Sequence, residues 1–383
     1  MKKQQTIVII GGGYAGINAI DALKKEKFNK DYRIVLIDKQ PNHFKKVKLF
    51  KGIVDEDFSE LFIPFSNYCT DGVEFLQGEL KAVNHEKQKI EVLDVNGEMI
   101  HLHYDLMIMT LGSVIKEVNP IYGGTTLSSL QNARKIRQDL LNELSDKSKL
   151  RISIIGAGIT GIETSAEIAT WLRNEAEQKG LKASDVEIYL LNQHDRLMLD
   201  IPEKVSRNLE KRLKNSGVTT IHHINAHKFE NSKIYYNEGS EMASDYCIWT
   251  VGMQPHPCLQ DLGLPLMDHG KLLIDSWYRL KGCKNIYSIG DCAHIVDSST
   301  GQVAGMTCKE AVAEAKSLAK IIKADLAGYG IEGHKAYPSL YCIGLGPTDG
   351  FFWAQKWGMD FVLTGKLGVK MRDFTWNIAS LVN

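Results

Sequence analysis

The chain has 383 residues, of which 46 are Lys or Arg and 46 are Asp or Glu. This balance excludes a global positive field that would recruit nucleic acid, and a hydrophobic content of 44% is typical of a globular protein. The length predicts more than one domain. The seven cysteines show neither C-x-x-C nor metal-ligand spacing, which favours free thiols in the cytoplasm and predicts no metal site. No apolar run has the length needed to span a bilayer.

The first predicted element is a nucleotide-binding unit that ends at Asp38. Strand formers at residues 6–10 lead into G-x-G-x-x-G at residues 11–16, and an apolar helical pattern follows. The first glycine permits a tight turn, the second lets the backbone approach a diphosphate, and the third lets the helix pack on the strand. A second strand ends in Asp38, whose carboxylate can accept hydrogen bonds from ribose hydroxyls. The residues predicted to contact this first nucleotide are Gly11, Gly13, Ala15, Gly16, Asp38 and Lys39.

Residues 39–51 are basic, with apolar residues between the lysines. The pattern is typical of a solvated amphipathic helix, and the alternative is a segment that returns to the cofactor and places a lysine near it. Short strands are predicted within residues 73–93. Residues 104–111 form a buried strand ending in Gly112 and Ser113, a small-residue turn that lets the backbone approach a ligand at the carboxyl end of a parallel sheet.

A second nucleotide-binding unit follows a polar helix predicted at residues 132–146. Residues 151–155 form its first strand, and Gly156, Gly158 and Gly161 repeat the glycine spacing. Two such units in one chain indicate two nucleotides. The simplest combination of two nucleotides is a tightly held flavin and an exchangeable nicotinamide.

The next strand, residues 186–191, ends in Asn192 where an acid is expected. An acid at this position favours the free 2′-hydroxyl of NADH, so its loss leaves the choice between NADH and NADPH open. His194 and Arg196 are close enough in sequence to contact a 2′-phosphate. The alternative is that both are solvated surface residues.

Two later segments complete the pattern. Residues 245–252 repeat the pattern of residues 104–112, a strand that ends in a small turn, here at Gly252. Residues 285–289 form a strand that ends in Gly290 and Asp291, and a helical pattern with several alanines runs through residues 304–326. The alanines permit close packing on a neighbouring element.

With both glycine motifs, both strand-to-glycine turns and the Gly290-Asp291 turn in matching order, the chain resembles the two-dinucleotide-binding-domain flavoproteins over nearly its whole length. It is most similar to the type II NADH:quinone oxidoreductases and the related apoptosis-inducing-factor-like and ferroptosis-suppressor-like reductases. The resemblance implies an α/β fold with two Rossmann-like domains. A discontinuous FAD-binding domain is expected at residues 1–115 and 278–330, an NAD(P)H-binding domain at residues 116–277, and a small C-terminal interface or membrane-associating region at residues 331–383. FAD is implied on the first unit, with Asp291 on the flavin side, and NAD(P)H on the second, through its glycines and Glu163.

Departures from these relatives are informative. The disulfide reductases carry reactive cysteines early in the FAD domain, where this chain has His43, Phe44 and Lys45. The cysteine that sulfide:quinone reductases place between the two glycine units is absent from residues 113–150. The glutamine-containing segment that lines the quinone tunnel of type II quinone reductases corresponds to residues 305–310, which contain no glutamine. Quinone contacts therefore cannot be carried over, and Cys308 is interpreted as a packed thiol.

The predicted activity is hydride transfer from NAD(P)H to FAD and electron transfer onward to a quinone. Glu163 is the predicted catalytic group, able to orient the nicotinamide or move a proton, and its alternative role is to satisfy the helix dipole. Reduction of a small redox protein such as ferredoxin or rubredoxin is the second hypothesis, and a nucleotide-stabilised interaction protein is the third. Residues 351–383 combine aromatic and basic side chains, which suits the headgroup region of a membrane. The alternative is that they cover the flavin or form a homodimer interface, so a purely cytoplasmic protein and one attached to the cytoplasmic face of a membrane are both retained.

Overall fold

The computed structural model describes residues 4–382. The first unit is a seven-stranded sheet whose first five strands run parallel, while its last two strands join by antiparallel pairing. The strands, in spatial order, are Ile286–Ser288, Leu106–Met109, Gln5–Ile10, Tyr32–Asp38, Val73–Asn84, Lys89–Asp94 and Met99–His103. The strand Gln5–Ile10 lies between two parallel neighbours and is buried on both faces over residues 7–10, which explains its continuous apolar run.

Helices Tyr14–Lys25 and Cys308–Ala327 pack against each other on one face of this sheet. Alanines in both helices are buried in their shared apolar cluster and allow the close approach. The longer helix begins at a capping box in which the Thr307 hydroxyl and the Glu310 carboxylate satisfy each other's backbone N–H groups. It ends at Gly328, which has a positive φ of 74°.

The second unit is a parallel five-stranded sheet. Its strands, in spatial order, are Thr125–Thr126, Tyr246–Trp249, Leu150–Ile155, Val186–Leu191 and Val218–Ile221. Its helices are Leu130–Asp146, Ile159–Gln178 and Glu203–Asn215. A small antiparallel sheet, formed by Ala226–Glu230, Lys233–Tyr236 and Ser240–Ala243, follows.

Short elements connect the two units. The strands Ser113–Ile115 and Met253–Pro255 pair antiparallel where the chain leaves each main sheet. The strands Asn42–Phe44 and Phe62–Pro64 pair antiparallel after the second strand of the first unit. The short helix Lys51–Val54 lies between them in the chain, and the short helix Phe28–Asp31 precedes the strand Tyr32–Asp38. The strands Leu272–Leu273 and Ala293–His294 form a further parallel pair.

The C-terminal region is a three-stranded antiparallel sheet followed by one helix. The strands are Leu340–Gly344, Gly350–Lys356 and Met359–Thr364, and the helix is Lys366–Ala379. Its buried side chains Phe351, Trp353 and Trp376 join the same apolar cluster as the helices of the second unit and as Phe50. The C-terminal region is therefore packed into the core. The α/β fold with two nucleotide-binding sheets agrees with the prediction, while the domain boundaries at residues 115, 278 and 330 stay predictions.

Candidate cofactor site

Both glycine turns adopt the same geometry. Gly11 and Gly156 have φ values of +103° and +106°, a region that favours glycine. A Cβ atom on Gly16 would lie 1.9 Å from the Gly11 carbonyl oxygen, and a Cβ on Gly161 would lie 1.9 Å from that of Gly156. Each motif therefore needs glycine at its first position for the turn and at its third position for the packing of helix on strand.

The middle glycines face open space. A Cβ atom on Gly13 or Gly158 would meet no atom within 4 Å, and each residue is the N-cap of the following helix without a side-chain cap. The first N–H groups of both helices are thus available to a ligand, and the helix dipole favours a negative charge there. These two sites fit the diphosphates of two dinucleotides.

Two threonines, which we did not identify from the sequence, hold the glycine turns in place. The Thr110 hydroxyl lies 2.8 Å from the Gly11 carbonyl oxygen, and the Thr250 hydroxyl lies 2.8 Å from that of Gly156. Each threonine stands two residues before the small-turn glycine, Gly112 or Gly252. The repeated T-x-G spacing in the sequence is the signal that could have found them.

Gly112 and Gly252 also have equivalent surroundings. Their φ values are +67° and +74°, and neither would bring a Cβ within 4 Å of another atom. The His256 N–H lies 3.3 Å from the Gly112 carbonyl oxygen, and the Lys116 N–H lies 3.2 Å from that of Gly252. The two turns are thus joined through the crossing strands, so the carboxyl ends of both sheets are held at a defined separation.

Asp38 is oriented by the first glycine turn. Its carboxylate accepts hydrogen bonds from the N–H groups of Gly12 at 2.6 Å and Gln40 at 2.8 Å. Burial raises the pKa of this carboxyl, and the two N–H groups oppose that shift. Lys39 differs, because it is exposed and its Nζ lies 3.2 Å from the Glu79 carboxylate. Asp38 is thus held at the end of its strand by two backbone N–H groups, and its contact with a ribose stays a prediction, whereas Lys39 lies on the surface.

Asp291 meets residues from two distant parts of the chain. The Ser113 hydroxyl donates to its carboxylate at 2.6 Å, and Lys46 Nζ donates to the Ser113 carbonyl oxygen. The residue before it, Gly290, abuts the glycine loop, since a Cβ on Gly290 would lie 2.9 Å from that of Ala15. Asp291, Ser113 and Lys46 therefore form one polar group at the carboxyl end of the first sheet.

The interpretation of residues 39–51 as an amphipathic helix is wrong. The segment forms a strand at Asn42–Phe44, a 3₁₀ turn at Lys46–Lys48 and only one helical turn at Lys51–Val54. Lys45 and Lys48 are less than 9% exposed, and burial lowers the pKa of Lys46 while Asp291 opposes the shift. The chain returns to the sheet because residues 42–44 pair with residues 62–64, and this brings Lys46 close to Asp291. The alternative interpretation, a lysine near the cofactor, stays a prediction.

Asn192, which follows the strand Val186–Leu191 of the second unit, makes hydrogen bonds to nearby backbone groups. The Asn192 amide donates to the carbonyl oxygens of His194 and Arg196, at 3.2 and 2.9 Å. The Arg196 guanidinium donates to three carbonyls within residues 198–201, at 2.7 to 3.1 Å. Arg196 therefore stabilises its own loop, whereas His194 is exposed beside it.

Glu163 forms a buried ion pair. Arg372 donates to both carboxylate oxygens at 2.7 Å, and the Gly344 N–H donates at 2.8 Å, with Glu163 1% exposed and Arg372 7% exposed. Burial raises the pKa of this carboxyl, and Arg372 opposes the shift. The partners belong to the C-terminal region, so the carboxylate does not cap its own helix. A direct action of Glu163 on a nicotinamide stays a prediction.

The cysteines offer no dithiol. All seven are free in the part of the chain that the structure describes, and burial raises the pKa of Cys308. Next to it, Lys309 Nζ donates to the Leu340 carbonyl oxygen at 3.2 Å. A high thiol pKa disfavours the reactive thiolate, which agrees with the interpretation of Cys308 as a packed thiol.

Two anion-binding helix N-termini on parallel sheets, joined at their carboxyl ends, define a protein that holds two dinucleotides. The chain belongs to the pyridine nucleotide-disulphide oxidoreductase family, whose model matches residues 5–315. This membership confirms the resemblance recognised from the sequence, and it implies FAD and NAD(P)H as the cofactors. The protein is an oxidoreductase, and its seven cysteines form no disulfide within residues 4–382.

Named relatives cover most of the chain. It is 25% identical over 317 residues to NADH dehydrogenase-like protein YutJ of Bacillus subtilis, with 82% of each chain covered. It is 26% identical to demethylphylloquinone reductase NdbB of Synechocystis, with 97% of this chain and 91% of that protein covered. A solved structure of NDH2 from Plasmodium falciparum in complex with NADH has the same fold, with a TM-score of 0.80, 17% identity, and coverage of 99% and 94%.

Proposed function

We propose that the protein oxidises NAD(P)H and reduces a quinone, and that it does so at a membrane surface. The observation that carries the proposal is the pair of equivalent glycine turns at the carboxyl ends of the two sheets, which the paired strands Ser113–Ile115 and Met253–Pro255 join. A bound flavin would supply the redox chemistry between the two substrates. Relatives named as reductases of quinones, at 91% and 80% coverage of their own chains, support a quinone as the acceptor.

The chain's own residues bind and orient the nucleotides. The helix N-termini after Gly13 and Gly158 hold the diphosphates, and Asp38 accepts hydrogen bonds from the first ribose. Asp291, fixed by Ser113 and charge-balanced by Lys46, orients the flavin end of the first nucleotide. Glu163 acts as a positioning residue, because its carboxylate holds Arg372 and Gly344 beside the second glycine helix.

The C-terminal aromatics divide into two groups. Phe351, Trp353 and Trp376 are buried, as expected for side chains that cover a core. An exposed apolar surface, here called the C-terminal surface, remains on the last strand, the turn before it and the last helix. Its residues, each at least 36% exposed, are Trp357, Met359, Phe361, Val362, Leu363, Leu367, Phe374 and Ile378.

We propose that the C-terminal surface rests on an anionic membrane. Lys366 and Lys370 are exposed on the same helix, and Lys356 Nζ lies 4.2 Å from the centre of the Trp357 ring. Exposed aromatics and lysines together suit the headgroup region, where they would bring the protein to its lipid-soluble acceptor. No helix within residues 4–382 is both long and apolar enough to cross a bilayer.

A homodimer through the last strand is the competing use of this surface. Strand Met359–Thr364 is an edge of its sheet, and exposed edges pair readily with a second copy. Sedimentation of the purified protein with and without vesicles separates the two. A monomer that binds vesicles supports the membrane, and a dimer that ignores them supports the second copy.

The enzymatic proposal is tested in two steps. Stopped-flow mixing of the FAD-loaded protein with NADH or NADPH should bleach the oxidised flavin band. Steady-state assays should then show turnover with a menaquinone analogue and little with ferredoxin or rubredoxin. Unbleached flavin contradicts the oxidoreductase assignment, while bleaching followed by reduction of the carrier proteins alone contradicts the quinone.

The membrane proposal is tested by flotation with vesicles containing anionic lipid. Phe361→Ser with Phe374→Ser should lower the bound fraction severalfold. Ile121→Ser is the matched control, because Ile121 is 69% exposed on another part of the molecule. Equal binding of all variants would remove the C-terminal surface as the membrane contact.

A further inference from the structure

The proposed reaction needs a proton from water. NAD(P)H gives a hydride, which carries two electrons and one proton, while a quinone needs two electrons and two protons to become a quinol. One further proton must therefore reach the site in each turnover. This inference rests on the proposed quinone acceptor.

One buried carboxyl lies next to the cofactor site and has no part in the functions described so far. Glu314, on the second turn of helix Cys308–Ala327, is only 2% exposed. The Gly290 N–H donates to its Oε2 at 2.8 Å, directly before Asp291. Because Oε2 accepts this bond, the proton of the protonated acid belongs on Oε1.

A small cavity lies beside Glu314. Its volume is about 10 Å³, the room needed for one water molecule. Glu314, Asp291, Lys271, Thr307 and Glu310 line it, so a water there has several polar partners. Glu310 is partly exposed at the start of the helix and gives the cavity a polar side toward solvent.

The charges around Glu314 favour its protonated form near neutral pH. Burial raises the pKa of Glu314 to about 8; Glu310 and Asp291 contribute to this shift, while the Gly290 N–H and Lys271 oppose it. Tyr278 also faces this carboxyl, and burial raises its pKa beyond the range in which it would titrate here. A donor with a pKa near the working pH both holds and releases its proton readily.

We propose that Glu314 is a relay residue that passes solvent protons, through one water in this cavity, to the acceptor at the carboxyl end of the first sheet. The O–H bond at Oε1 breaks and its proton passes to the cavity water. That water gives a proton to the site, where a new O–H bond of the quinol forms, and solvent then returns a proton to Oε1 past Glu310. No electrons move at Glu314.

The variant Glu314→Gln tests this role. Its amide oxygen can still accept the Gly290 N–H, but the side chain has no acidic proton. In stopped-flow oxidation of the pre-reduced protein by a short-chain quinone, the wild-type rate should fall as pH rises through about 8, because the acid form is lost. In the variant this step should vanish, and the rate at neutral pH should be about tenfold lower.

Two controls separate proton relay from structural damage. Ferricyanide takes one electron and no proton, so its reduction by Glu314→Gln should stay within about twofold of the wild-type rate. Glu167→Gln changes another buried acid, which pairs with Lys51 at 3.5 Å, and should leave the pH step in place. Equal losses with quinone and ferricyanide, or an unchanged pH step in Glu314→Gln, overturn the proposal.

Infrared spectroscopy tests the protonation of Glu314 without any acceptor. At neutral pH the wild-type protein should show the carbonyl stretch of a protonated carboxylic acid, shifted in D₂O and absent from Glu314→Gln. Absence of this band in the wild type overturns the proposal whichever acceptor is used. If the band is present but no quinone is reduced, the proposed function fails, and the proposed proton relay to a quinone fails with it. The protonation of Glu314 would still be established in that case.

Discussion

Breaking the Glu163–Arg372 pair should release the C-terminal helix Lys366–Ala379. Removing one partner of a buried ion pair leaves the other charge uncompensated and costs about 3–5 kcal/mol. In Arg372→Met, Glu163 would keep only the Gly344 N–H. Since 1.4 kcal/mol is tenfold in an equilibrium, native-state hydrogen exchange of the helix amides should accelerate by about 10² to 10³ or more.

The exchange assay needs a matched control and a double variant. Arg207→Met removes an arginine whose side chain is 72% exposed and paired with Glu203 at the surface, so exchange should change little. Glu163→Gln with Arg372→Met should cost less than the sum of the single variants, because the two groups lose the same interaction. Additive costs, or exchange in Arg372→Met as slow as in Arg207→Met, would refute the assignment of Arg372 as the anchor of this helix.

Three further predictions test the nucleotide sites. A Cβ on Gly16 or on Gly161 would meet a carbonyl oxygen at 1.9 Å, so each substitution should disrupt its own glycine turn. Gly16→Ala should therefore yield protein without FAD. Gly161→Ala should retain FAD, but flavin absorbance should show that NAD(P)H reduces it more than about tenfold slower. Arg196→Met should leave the NADH-to-NADPH ratio of kcat/KM unchanged, since its guanidinium serves carbonyls of its own loop; a selective loss with NADPH would contradict this. Burial lowers the pKa of His43 to about 4, below its value near 6.5 in the unfolded chain. The unfolded chain therefore binds a proton at His43 before the folded protein does. The free energy of unfolding should consequently be unaffected by His43 above pH 6.5 and fall by up to about 3 kcal/mol as pH falls toward 4. His43→Gln should flatten that slope in urea titrations at several pH values, and His85→Gln should not.

The nucleotide-binding units could be predicted because their signals are local. Each glycine turn depends on residues within one strand, one turn and one helix, so spacing alone indicates them. The elements predicted around residues 6–38 and 151–191 therefore appear as strands and helices in the structure. The strand predicted at residues 285–289 is present as Ile286–Ser288, and it lies beside Leu106–Met109 in the first sheet.

The remaining features depend on contacts that sequence patterns do not contain. Residues 39–51 have helical spacing, but pairing with residues 62–64 overrides it. Glu163 and Arg372 are separated by 209 positions, and Asp291 meets Ser113 across 178. The aromatics of residues 351–376 share one composition, and only the packing shows which of them are buried.

The C-terminal helix connects the proposed membrane contact to both nucleotide-binding units. One of its faces presents Leu367, Phe374 and Ile378 to solvent, while Arg372 on the other face holds Glu163. Trp376 lies between Arg372 and Lys48, with ring centre distances of 4.4 and 4.7 Å, and Lys48 belongs to the segment that brings Lys46 to Asp291. Deleting this helix would therefore leave a buried carboxylate unpaired as well as remove the proposed membrane contact. Lost quinone activity in a truncated protein would not distinguish these causes, whereas Phe361→Ser with Phe374→Ser changes only exposed side chains of the last strand and the last helix.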